Sequence, residues 1–158
     1  MLNEQKALPM TWHPHITVAT IVERNGRFLM VEESQAGQRV LNQPAGHLEP
    51  NESLQQAAIR ETLEETGWDV ELSAVVGIYL YTAPTNGVTY QRVCFAARPV
   101  LHHPQRPLDS DIIAARWLSR DELAAQPERW RSELVPRCID DYLAGPLYSL
   151  DILRDPRP

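Results

Sequence analysis

Two Asn-Gly pairs, Asn25-Gly26 and Asn86-Gly87, each stand between runs rich in β-branched and apolar residues. A two-residue type I′ turn needs positive φ at both central positions, which Asn and Gly tolerate, and its twist matches that of the strands it joins. The pairs therefore predict two hairpins: Ile16–Val22 with Phe28–Glu33, and Val75–Tyr81 with Val88–Ala97. Apolar residues fall on both parities of the first hairpin, so its strands are expected to be covered on both faces. Between the hairpins a loop through Gly37 and Pro44-Ala45-Gly46 leads to a helix over Ser53–Thr66. Ser53 with Gln56 reads as a capping box, and Gly67 stands where a left-handed C-terminal residue belongs. Downstream, the pattern predicts a loop over His102–Asp111, a short strand Ala114–Leu118, and a brief helix opened by Ser119-x-x-Glu122. A last helix is expected to start at Pro136 and to stop before Gly145-Pro146. These elements describe one mixed α/β domain over residues 10–158, preceded by a polar extension at 1–9, with Met10 as an alternative start.

Composition narrows the function. The 158 residues carry a net charge of −6, which weighs against a nucleic-acid polymer as partner, since that surface wants a basic face. No stretch approaches the ~18 consecutive apolar residues of a membrane span, and the N-terminus has no apolar signal segment. Two cysteines, Cys94 and Cys138, suit buried thiols in a reducing cytoplasm rather than a disulfide framework or zinc site. Net acidity leaves small phosphorylated ligands open, because a divalent cation can mediate between carboxylates and phosphate.

The acid is unevenly spread, with Glu49, Glu52, Glu61, Glu64 and Glu65 opposed locally by Arg60. On the helix, Leu54, Ala57 and Ala58 form an apolar stripe whose next i, i+3, i+4 members are Glu61, Glu64 and Glu65. Each like-charge pair costs roughly 0.2–0.5 kcal/mol, and the C-terminal end of the helix dipole disfavours further anions. Two readings follow from the residues alone. One is a solvated acidic helix end; the other is a site for a hard cation shared by carboxylates from successive turns.

Gly46-His47-Leu48-Glu49-Pro50-Asn51-Glu52, seven further residues, then Arg60-Glu61-Thr62-Leu63-Glu64-Glu65-Thr66-Gly67-Trp68 resembles the Nudix box, G-x5-E-x7-R-E-U-x-E-E-x-G-U. The fixed positions Gly46, Glu52, Arg60, Glu61, Glu64, Glu65 and Gly67 all match. Thr62 and Trp68 depart from the usual packing residues. The lead-in His15–Glu33, the approach Asn42–His47 and Asp109-Ser110-Asp111 before Arg116-Trp117-Leu118 resemble the bacterial NudJ-type phosphatase subgroup, over about residues 14–120.

The resemblance implies an α/β/α sandwich around a mixed sheet and a Mg²⁺-dependent enzyme, with Mn²⁺ as a substitute, acting on phosphoanhydrides. By position, Glu61, Glu64, Glu65 and the main-chain carbonyl of Gly46 match the metal ligands. Glu61 or a neighbouring carboxylate, Asp109 or Asp111, matches the group that deprotonates or orients water, and Glu52 with Arg60 matches the pair that braces loop and helix. The implied substrates are nucleoside tri- or diphosphates and pyrimidine diphosphates related to thiamine, with stepwise release of orthophosphate by a monomer or homodimer. Alternatives are nucleoside-diphosphate sugars such as ADP-ribose, dinucleoside polyphosphates, or a non-catalytic nucleotide sensor. A sensor usually loses box glutamates, and here all are kept. Asp109 and Asp111 are candidates for an additional carboxylate. Arg27, Arg39 and Arg92 are candidate phosphate contacts, although salt bridges are the commoner fate of such arginines. Trp117 is expected in the core, and His102-His103 in an exposed loop.

Overall fold

The computed structural model describes residues 11–155, so the extension at 1–9 and the alternative start at Met10 lie outside the described residues. The strands are β1 (His15–Arg24), β2 (Arg27–Gln35), β3 (Gln38–Asn42), β4 (Ala45–His47), β5 (Trp68–Thr82), β6 (Thr89–His102) and β7 (Ile112–Ser119). The helices are α1 (Leu54–Thr66), α2 (Arg120–Ala124) and α3 (Leu134–Ala144).

The first Asn-Gly turn forms as its residues require. Asn25 and Gly26 have φ of 54° and 73°, and Arg24 faces Arg27 across them. The second differs. Only Gly87 is left-handed, at φ 69°, and β5 and β6 are joined by a longer loop running from Pro84 to Gly87. Ala83 N–H donates to Val88 O at 2.9 Å and Gly87 N–H to Ala83 O at 2.8 Å. Pro84 fixes φ near the helical value, which starts a helical turn here instead of a two-residue reversal. A further hairpin, β2 to β3, turns at Ala36-Gly37, with φ of 49° and 80°. An alanine seldom adopts that conformation, so the sequence carries no warning of it. The strands β3 and β4 accordingly occupy what reads as loop.

The sheet is mixed. β1 runs parallel to β6 from His15–Tyr90 to Val22–Ala97, while β5 is antiparallel to β6. The other edge of β1 is shared, first by β4 and then by the start of β2, which goes on to pair with β3 and β7. Side-chain alternation sends Val18, Val93 and Phe95 to one face, against Ala57 and Ala58 of α1. Ala19, Ile21, Cys94 and Ala96 go to the other face, against Val135, Cys138 and Ile139 of α3. This is the expected α/β/α layering, with both thiols buried.

Two further expectations need correction. α3 starts at Leu134, two residues ahead of Pro136. The whole first turn of a helix has N–H groups without intrahelical partners, so proline is tolerated beyond its first position. Trp117 is half-buried rather than core. Its ring meets Trp68 edge-on at 5.8 Å, and the Arg24 guanidinium covers it at 4.3 Å.

Thr62, the departure from the aliphatic residue of the box, faces a second threonine across the interface. Thr62 and Thr20 of β1 are both fully buried, with hydroxyls 2.8 Å apart. Thr62 donates to Ala58 O at 2.7 Å, which leaves Thr20 to donate to Thr62. Thr62→Val strands the Thr20 hydroxyl and should cost about 1–3 kcal/mol. Adding Thr20→Val removes the stranded group, so the double variant should regain most of that loss in urea denaturation. Additive losses would show that the hydroxyl pair is not what couples α1 to β1.

Candidate active site

α1 is fixed at both ends by its own sequence. Ser53 accepts from Gln56 N–H at 3.1 Å while Gln56 accepts from Ser53 N–H at 2.8 Å, and Gly67 closes the helix at φ 71°. Its buried residues are Ala57, Ala58, Thr62, Glu65 and Thr66. The glutamate stripe is therefore split. Glu61 and Glu64 lie at the half-buried rim, whereas Glu65, 7% exposed, enters the buried face.

Arg60 gathers the surrounding carboxylates. Its Nε and Nη2 donate to Glu52 Oε2 and Oε1 at 2.9 and 2.7 Å, a bidentate pair. Nη1 donates to Glu61 Oε1 at 2.8 Å and Glu64 Oε2 at 3.0 Å, and Nη2 also reaches the His47 carbonyl at 3.1 Å. The contacts hold the Glu52 carboxyl below its ordinary range, with burial opposing. The mutual repulsion expected of the glutamates is thus offset by a cation on their own helix. Glu52 also accepts from Glu49 N–H at 2.7 Å, so the loop before α1 is tied to the same guanidinium.

Gly46 stands against Glu61. A Cβ at position 46 would lie 2.1 Å from the Glu61 carboxyl carbon, so only glycine leaves room for that carboxylate. Asp109 arrives from the other side through the helix end. The last carbonyls of a helix lack intrahelical donors, and here Asp109 N–H donates to Glu64 O at 3.1 Å while His103 N–H donates to Gly67 O at 2.8 Å. The 103–111 loop is thereby pinned to the C-terminus of α1. Oxygens of Glu61, Glu64 and Asp109 consequently lie within 4.8 Å of one another. Asp111 is outside that trio; its carbonyl accepts from Ser34 N–H at 3.0 Å. Three converging carboxylates, with one backed by a glycine, are a donor set that fits a hard divalent cation. Burial pushes the Glu61 carboxyl above its ordinary value, Arg60 opposes, and the charges of Glu64 and Asp109 add to the rise. Asp109 is raised too, by burial and then by Glu64 and Asp111.

Glu65 sits behind this group and accepts from Ala45 N–H at 2.9 Å, tying α1 to β4. Burial pushes its pKa up to about 9, with Glu33, Glu61 and Asp111 contributing. Glu33 is a carboxylate that sequence reasoning passed over. It is buried, pairs with Arg131 at 2.7 Å and leaves Oε1 without a partner. Its neighbour Glu32 is also buried and is held by Arg39, Arg116 and Arg129 at 3.3, 2.6 and 3.2 Å. The available signal was two successive glutamates in a strand whose pattern puts both faces under cover.

The remaining candidates disperse. Arg27 pairs with Glu122 at 2.7 Å and Arg39 with Glu32, the commoner fate of surface arginines. Arg92 has no such pairing among the described residues and lies on the α3 face of the sheet, its Nη1 3.4 Å from Gln43 Oε1. His47, on β4, has Nε2 3.4 Å from His15 Nδ1, and burial followed by the charges of His15 and Arg131 lowers its pKa. His102 is exposed as expected but ends β6 and stacks on Trp68 at 4.6 Å, and His103 lies in the loop, half-buried, and reaches Asp69 at 2.6 Å.

Comparison with known proteins bears on the same segments. A family model of the NUDIX domain matches residues 11–138. The phosphatase NudJ of Escherichia coli strain K12 is 40% identical over 142 residues, covering 90% of this chain and 92% of the relative. Among solved structures, a NUDIX hydrolase from Nitrosomonas europaea superposes with a TM-score of 0.89 at 46% identity, over 90% of this chain and 97% of the other. An ADP-ribose pyrophosphatase from Streptococcus suis shares the fold, with a TM-score of 0.57 at 22% identity over 77% of this chain and 95% of its own.

Glu65 generates a pH dependence whose sign can be worked out. The unfolded chain ionises Glu65 near 4.5, while the folded, metal-free protein keeps it protonated up to about 9. The folded state then binds the extra proton, so this residue's contribution to stability is full below the window and is lost as pH rises through it. Glu65→Gln cannot ionise and still offers Ala45 an acceptor. In urea melts with EDTA the variant should match the parent below the window and exceed it towards the upper end. An unchanged pH slope would sink this account of Glu65.

Proposed function

The chain belongs to the Nudix hydrolase family, and from that premise we propose that it is a Mg²⁺-dependent phosphatase of nucleoside tri- and diphosphates and of pyrimidine diphosphates related to thiamine. The observation that carries this reading is the convergence of Glu61, Glu64 and Asp109 beside Gly46. The NudJ relative, whose name is that of a phosphatase, supports the release of orthophosphate. The free, buried thiols of Cys94 and Cys138 support a reducing, cytoplasmic setting.

Glu61, Glu64 and Glu65 with the Gly46 carbonyl would hold Mg²⁺, or Mn²⁺ in its place, and Asp109 would supply a further oxygen. Such a cation, when bound, neutralises phosphate charge and acidifies water. The chain's own groups do the positioning. Arg60 locks Glu52, Glu61 and the His47 carbonyl into one frame, so the strand bearing Gly46 and the helix bearing the carboxylates keep a constant separation. Glu61, raised by burial and facing Gly46, accepts the proton of the attacking water. The water oxygen bonds to phosphorus as the anhydride P–O bond breaks, and the departing phosphate takes the electron pair. Hydrogen bonds from Arg60 hold the Glu61 carboxylate in place through that transfer.

Phosphate release from nucleoside and pyrimidine diphosphates should vanish in EDTA and return with Mg²⁺; turnover that ignores the chelator would sink the proposal. Glu61→Gln should lower turnover by at least ~10²-fold, in line with other losses of a single preorganised group. Gly46→Ala should reduce turnover through displacement of the Glu61 side chain while the melting temperature stays near the parent's, because the group displaced is the end of a flexible chain. Product analysis should find orthophosphate rather than pyrophosphate. Turnover confined to ADP-ribose would overturn the substrate assignment and leave the hydrolase intact.

A further inference from the structure

Arg92 is the cation that the site above leaves unexplained. It is 9% exposed, and its Nε is buried with no hydrogen-bond partner. Nη1 makes a long 3.4 Å contact with Gln43 Oε1, and the Gln43 amide is itself committed to Val135 O at 2.6 Å. The guanidinium also lies beside the Cys138 thiol, a weak acceptor and no replacement for a carboxylate. A buried charge without an opposite partner is expensive to keep.

Strand register places a second orphan directly beside it. Thr17 of β1 faces Arg92 of β6 on one side and His47 of β4 on the other, and its buried Oγ1 has no partner either. Thr17 is 8% exposed. One residue pair toward the sheet end, His15 faces Tyr90. The rings of His15, His47 and Tyr90 meet pairwise, with centroids 5.6 Å apart for His15–Tyr90 and His15–His47 and 6.2 Å for His47–Tyr90. Both histidines are exposed and Tyr90 is half-buried. Three rings and two unsatisfied polar groups therefore share one sheet face. That face begins at His47, the residue after Gly46, and Arg92 lies two strands further on, about 10 Å away at ordinary strand spacing.

We propose that this row, His47–Thr17–Arg92 with the rings of His15 and Tyr90, receives the nitrogen-heterocycle end of the substrate, Arg92 Nε–H and the Thr17 hydroxyl bonding to its ring-edge oxygens or nitrogens. The proposal rests on the hydrolase reading only for where the phosphates sit. A bare phosphate would use Arg92 but has no use for three rings. A heterocycle uses both, because aromatic faces and edges contact its plane while the buried donors read its edge. Arg92 is on this account a specificity residue, and its charge is kept at a cost to the unliganded fold.

Binding of uridine 5′-monophosphate and of ribose 5-phosphate, measured by titration calorimetry with Mg²⁺ present, tests this. Neither probe contains an anhydride, so binding is read without turnover. A parent that binds as expected but hydrolyses nothing would refute the hydrolase reading and leave this one standing. The parent should prefer the uridine compound by about 10-fold or more, the ratio expected when buried donors gain or lose their partners. Arg92→Met should erase most of that preference with ribose 5-phosphate affinity unchanged, and its melting temperature should not fall below the parent's. Thr17→Val should reduce the preference in the same direction, and it decides the matter if the arginine variant does not fold. Equal affinities in the parent, no binding of either probe, or a preference unchanged in the folded variants would overturn the proposal. Equal weakening of both probes by Arg92→Met would assign Arg92 to phosphate and overturn it as well.

Discussion

One guanidinium holds the loop, the strand and the helix of the candidate active site in a common frame. Arg60 touches the loop through Glu52, strand β4 through the His47 carbonyl, and its own helix through Glu61 and Glu64. Without it, the three carboxylates would face one another across a loop and a helix end, each pair unfavourable and the helix dipole adding to the cost. With it, a planar donor set reaches three carboxylates and a carbonyl at once, which a lysine's single ammonium could not do in that geometry. The pair with Glu52 is sheltered but not fully buried, so its value lies in geometry more than in net stability.

The second constraint is the end of α1. Helices finish with unpaired carbonyls, and a buried end must find donors from elsewhere. Here the 103–111 loop supplies them, through Asp109 N–H to Glu64 and His103 N–H to Gly67. An ordinary requirement of backbone chemistry thus carries a third carboxylate to the side of Glu61 and Glu64. At the same end, Glu65 turns inward and takes the Ala45 amide. The helix C-terminus is in this way fastened to both walls of the site, β4 on one side and the long loop on the other.

Much of this was legible in the chain. Ser53 with Gln56, and Gly67, delimit α1 through local hydrogen bonds and a local φ preference, so its bounds needed no tertiary information. Asn25-Gly26 specified its turn for the same reason. Asn86-Gly87 did not, because Pro84 set the backbone first. The turn at Ala36-Gly37 was illegible, since alanine takes a left-handed conformation only when the pairing of β2 and β3 enforces it. The spacing from Gly46 to Gly67 marked a set of candidate site residues. It could not show that the glutamate stripe divides, because whether a helical position meets solvent or sheet depends on how the helix is rotated against its neighbour.

What the chain determined by itself is local: turn chemistry, helix caps, the alternation that covers the sheet on both faces, and the presence of one arginine among several carboxylates at fixed intervals. These follow from dihedral preferences and from hydrogen bonds only a few residues long. The tertiary structure decided the rest. It paired Thr62 with Thr20, separated in sequence but buried against each other. It chose Asp109 over Asp111 as the third carboxylate, through a backbone bond to the helix end. It also left Arg92, alone of the three arginines singled out in the sequence, in a buried row with Thr17 and without a carboxylate salt bridge among the described residues, while Arg27 and Arg39 found theirs. Side chains alike in sequence acquire different chemistry because burial, register and the nearest opposite charge belong to the packed sheet and not to the residue.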